Sequence, residues 1–79
     1  MFEIKIYEII NENGNIGELE REVAVFKAGI EQYIGIIVHQ AIGYAENLAK
    51  NNKKSYYVID SYGRRYDVPK PSKPLNNKQ

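Results

Sequence analysis

Apolar and polar residues alternate from the start of the chain. Phe2, Ile4, Ile6 and Ile10 fall on one face and Glu3, Lys5, Tyr7 and Ile9 on the other, a period of two that predicts a strand over residues 2–10. Asn11-Glu12-Asn13-Gly14-Asn15-Ile16-Gly17 follows and reads as a loop, because its residues tolerate positive φ or cap their own turns. From Glu18 the period changes. Leu19, Val23, Phe26, Ile30, Tyr33 or Ile34, Ile37, Ala41, Tyr44 and Leu48 recur every three or four positions, which predicts one face of a helix. Glu18, Glu20 and Glu22 suit its start and Lys50, Lys53 and Lys54 its end, each complementing the helix dipole, and Asn51-Asn52 offers a stop.

That helix is too long for its own globule. Over residues 18–50 it would span ~50 Å, whereas a compact domain of this length is roughly 30 Å across. Either it breaks, at Gly29 or Gly35, or it projects onto another molecule. Residues 32–45 contain no Lys, Arg, Asp or Glu and are apolar on most sides, yet too few to cross a bilayer. A helix apolar all round is normally covered all round, and Gly35, Ala41, Gly43, Ala45 and Ala49 would let a second helix approach. The expectation is a homodimer with Tyr33, Ile34, Ile36, Ile37, Ala41 and Tyr44 at its interface.

After the helix, Ser55-Tyr56-Tyr57-Val58-Ile59 and Arg65-Tyr66-Asp67-Val68 flank Asp60-Ser61-Tyr62-Gly63-Arg64. Asp at the first turn position and Gly at the fourth predict a type I turn inside a longer hairpin loop. Pro69 cannot donate to a ladder and ends the last strand. The fold class is therefore α+β, in the order β-α-β-β: one long helix on a small sheet with a C-terminal hairpin. Residues 1–68 form the single domain, and residues 69–79 a flexible tail rich in Pro, Lys and Asn.

Composition narrows the function. With 79 residues there is room for one small domain, and 43% hydrophobic with 27% charged residues is ordinary for a folded protein. The absence of cysteine excludes a disulfide scaffold, a thiolate metal site and a cysteine nucleophile. Glu3, Lys5 and Glu8 interrupt the N-terminal apolar run, so it is neither a signal peptide nor a span; a soluble, cytoplasmic protein with no membrane partner is expected. The net charge of +1 conceals an asymmetry. Residues 1–48 carry eight acids against three bases, and residues 49–79 eight bases against two acids.

Little in the sequence can do chemistry. His39, the only histidine, lies mid-helix with no acid three or four residues away, and reads as a satisfied core or interface residue. No metal-ligand spacing exists, and Glu18, Glu20 and Glu22 have no apolar pocket to separate their pKa values. Asp60 and Asp67 are explained by the turn and by cross-strand arginines, and Ser55, Ser61 and Ser72 by loops and strand edges. The expectation is no enzyme, no cofactor, no metal and no small-molecule substrate.

Binding remains. Cations and aromatics interleave in the basic half, and Lys53, Lys54, Tyr56, Tyr62, Arg64, Arg65 and Tyr66 are the candidate binding residues, for a protein partner or for nucleic acid. The pattern Tyr56-Tyr57-x-x-Asp60-x-x-Gly63-Arg64-Arg65-Tyr66 resembles the hairpin of the arm-binding domain of phage-type integrases, over residues 56–66 alone. Those domains are three-stranded sheets followed by a helix, whereas here the helix comes first, so no residue roles carry over. The leading expectation is a small regulator or inhibitor of the phage or mobile-element accessory type, blocking a host protein. Its alternatives are a nucleic-acid binder and a self-assembling structural protein.

Overall fold

A computed structural model describes residues 1–10 and 19–71. The loop expected over residues 11–17 and residues 72–79 of the expected tail lie outside the described residues. The elements are strand β1 (Phe2–Ile9), strand β2 (Glu20–Ala28), a 3-10 turn (Glu31–Tyr33), helix α1 (Ile34–Asn52), strand β3 (Tyr56–Ile59) and strand β4 (Arg65–Val68). The strands form one antiparallel sheet in the order β2-β1-β3-β4, with α1 across one face. The α+β class, the long helix on the sheet and the C-terminal hairpin are as the sequence predicts.

The helix start is not. Residues 20–28 are a strand, paired with β1 from Phe2 opposite Ala28 to Ile9 opposite Glu20. Ala24, Phe26 and Ala28 lie opposite Ile6, Ile4 and Phe2, on the helix side, while Val25 and Lys27 lie on the other face. That period of two was masked by a β-bulge. The register shifts between Ile6 and Tyr7, leaving Val23 as an extra residue in β2. The extra residue brings Val23 beside the core and so produces a helix-like spacing with Leu19 and Phe26. Val23, Val25 and Phe26 are also strong strand formers. The chain turns at Gly29, one of the two anticipated break points, while Gly35 stays inside α1. At 19 residues, about 28 Å, the helix now fits its domain.

The core lies between α1 and the sheet. Ile34, Val38, Ala41, Ala45 and Ala49 make the buried stripe of the helix, set against Ile4, Ile6, Tyr56, Val58 and Val68. Fully burying each large aliphatic side chain contributes about 1.5–3 kcal/mol. Ala41, Ala45 and Ala49 therefore serve the helix–sheet contact, not a second helix. Gly35 and Gly43 face outward, where an added methyl group would meet nothing within 4 Å. The helix ends where Lys53 takes a left-handed conformation (φ 57°) and donates its N–H to the Ala49 carbonyl at 2.8 Å. No described helix is long and apolar enough to cross a membrane.

Candidate functional site

Among the described residues two carboxylates are buried, at opposite ends of β3. Glu8 continues the alternation of Ile4 and Ile6, so its side chain enters the core beside the C-terminal end of α1. Tyr56, directly opposite on β3, donates its hydroxyl to Glu8 Oε2 at 2.7 Å and accepts from the Asn52 amide at 2.8 Å. Arg21 donates to Glu8 Oε1 at 2.9 Å, and Lys54 Nζ lies 4.0 Å from the same oxygen. The Tyr56 hydrogen bond, aided by the charges of Lys54 and Arg21, outweighs burial and holds the Glu8 carboxyl below its ordinary range. Burial in turn pushes the Tyr56 hydroxyl up.

Asp60 closes the hairpin. The Gly63 N–H donates to the Asp60 carbonyl and the Asp60 N–H to the Arg64 carbonyl, both at 3.0 Å, and Gly63 takes the positive φ (86°) such a loop requires. The carboxylate accepts from the backbone N–H groups of Tyr62 and Arg64 at 2.9 Å, and from the Arg64 guanidinium and the Tyr66 hydroxyl at 3.1 Å. Burial alone would raise its pKa; these donors more than offset burial and hold it below the ordinary value.

On the face away from the helix, the rings of Tyr7 and Tyr57 stack with centroids 5.1 Å apart, and the Arg65 guanidinium sits 3.9 Å over Tyr57. Tyr57 is almost fully covered and donates its hydroxyl to Glu20. Burial first, and that bond second, push its pKa up to about 12. Arg65 also pairs with Asp67 at 2.7 Å, along β4 rather than across strands. A recess of about 510 Å³ opens between this face and the hairpin tip, lined by Phe2, Lys5, Tyr7, Ile59 and Ser61 among others.

These contacts divide the residues singled out from sequence. Tyr56 is buried in the core, so it cannot serve as a binding aromatic; Tyr66 is half-buried on Asp60. Arg64 pairs with Asp60 and lies 5.4 Å over the exposed ring of Tyr62. Lys53 and Lys54 are exposed near the opposite end of β3, roughly 16 Å of strand from the hairpin tip. The seven residues therefore do not converge. Of the expected interface residues, Ile34 and Ala41 turn into the chain's own core and Ile37 is half-buried against it, while Tyr33, Ile36 and Tyr44 are exposed. His39 is exposed, not in the core.

What the structure adds instead is a contact between the hairpin tip and the start of α1. Ile30, Tyr33, Ile36 and Tyr62 are each about half exposed, and the Tyr62 hydroxyl ties the hairpin tip to Glu31 at 2.7 Å. Sequence spacing missed it because Tyr62 and Glu31 are 31 residues apart. Among the described residues, no group of three or more His, Asp or Glu side chains converges in a way that could hold a metal ion. No known protein family, characterised protein or solved structure matches this chain.

Proposed function

We propose that the chain is a small, non-enzymatic, homodimeric protein-binding regulator or inhibitor, of the accessory type that occupies another protein's working surface. The observation that supports it is the patch of Ile30, Tyr33, Ile36 and Tyr62, in which aromatic and aliphatic side chains stand exposed around the Tyr62–Glu31 bond. Tyrosines held at one end by a hydrogen bond lose little freedom on docking and make good anchors. Glu31 and Arg64 supply a polar rim. The nucleic-acid reading has less to draw on. Arg64 and Arg65 are each paired with an aspartate, and Lys53 and Lys54 lie away from them.

The test is quantitative capture with the tagged chain, comparing wild type with the Ile36→Ser, Tyr62→Ala double variant. A protein retained by wild type and reduced at least tenfold with the variant supports the reading. Equal recovery with both, or no protein recovered, counts against the patch.

A further inference from the structure

The sheet has two edges, built differently. β4 is four residues long and runs straight into Pro69. β2 is nine residues long and is paired only with β1 among the described residues. An open edge offers its N–H and C=O groups to another strand. The Ile9 N–H donates to Ser55 on the β3 side, and the Ile10 N–H to Leu19 on the β2 side. Successive residues alternate, so even-numbered residues of β1 turn their backbone groups to β2. Their partners Arg21, Ala24, Phe26 and Ala28 are satisfied within the chain. Glu20, Glu22, Val25 and Lys27 therefore direct theirs outward.

We propose that a second copy of this chain pairs with β2, antiparallel, about a two-fold axis at the Val23–Ala24 bulge, with Lys27 opposite the second copy's Glu20 and Val25 opposite its Glu22. In this register every outward-directed residue meets another. The bulge makes that possible, because it brings positions 22 and 25 into the same phase. Glu20 and Lys27 lie on the same face of the sheet, so the pairing puts opposite charges together twice by symmetry. Leu19 and Val25, 60% and 38% exposed, come onto the joint. A slip of one residue would lose both charge pairs and set the bonding groups out of phase.

Above β2, Phe26 and Tyr44 pack edge to face at 5.6 Å and overhang the joint. With α1 over β1 and β3, two such helices would lie roughly 19 Å apart, beyond the ~8–10 Å of helix packing. The contact is thus between sheet edges and aromatic rings, not the helix-to-helix contact the sequence suggests. It rests on the homodimeric part of the function proposed above.

Sedimentation equilibrium of the full chain tests it, with Lys27→Glu, Glu20→Lys and Val25→Pro variants whose far-UV circular dichroism matches wild type. Wild type should weigh twice 9.1 kDa. Lys27→Glu and Glu20→Lys should each fall to the monomer mass, and their equimolar mixture should return to the dimer, because mixing restores both opposite-charge pairs. Val25→Pro removes one outward N–H without touching the β1 ladder and should also give monomer. A monomeric wild type would overturn the homodimer itself. A dimer that survives Val25→Pro, or single charge variants that mixing does not rescue, would overturn this edge and leave the homodimer standing.

Discussion

Glu8 and Asp60 solve the same problem in opposite ways. Each is a carboxylate with only 4% or 3% of its residue surface exposed, and each is held ionised by donors. Asp60 draws its donors from residues two to six positions away, within the turn it closes. Glu8 draws them from residues 13 and 48 positions away, and exists as a satisfied group only once β1, β2 and β3 have assembled. The first is a local device and the second reports the whole fold. A buried charge without partners is costly, so both networks should be visible in stability.

The largest effect belongs to Asp60→Ala, which strands two backbone N–H groups and the Tyr66 hydroxyl. We expect a loss of about 3 kcal/mol in urea unfolding. Glu8→Ala should cost about 2 kcal/mol, less because Arg21 stays hydrated and the one buried donor stranded is the Tyr56 hydroxyl. Their double variant should be additive within ~0.5 kcal/mol, since the two sites share no partner. Strong coupling would contradict the division into a local and a global network.

Acid acts on both carboxylates in the same direction. Both carboxyls are depressed when folded, so the stability they contribute is complete above the ordinary values of 4.5 and 3.8 and is lost as pH falls through the lower folded values. Urea midpoints between pH 7 and 2 should fall steeply for wild type and less steeply for Glu8→Gln or Asp60→Asn. Tyr57 works in the other direction. Its raised pKa favours the neutral phenol, so its contribution is complete below pH 10 and is lost as pH rises towards about 12. Tyr57→Phe should flatten that alkaline limb. The smallest effect is a gain: Lys53→Gly relieves the left-handed helix end and should stabilise by about 1 kcal/mol.

The same contrast explains what the sequence made legible. The hairpin is readable because Asp60, Gly63 and the flanking strands all lie within the thirteen residues 56–68. Strand β1 is readable for the same reason, and its alternation places Glu8 on the face of Ile4 and Ile6, the sequence signal for its burial. Strand β2 was hidden by one inserted residue at Val23, which turned a period of two into an apparent three and four. Ala41, Ala45 and Ala49 are small, but spacing alone does not say whether a small residue admits a sheet or a helix. The patch at Ile30, Tyr33, Ile36 and Tyr62 needed the tertiary contact between the hairpin tip and Glu31.

Under the proposed function, the cations of the hairpin serve the fold and the exposed aromatic patch serves a protein partner. Fluorescence anisotropy of labelled single- and double-stranded DNA and RNA, titrated with the chain at two salt concentrations, tests it most directly. No binding in the micromolar range is expected, even at the lower salt. Micromolar binding that weakens steeply with added salt, and weakens again on Arg64→Ala with Arg65→Ala, would contradict it and make the hairpin a nucleic-acid surface.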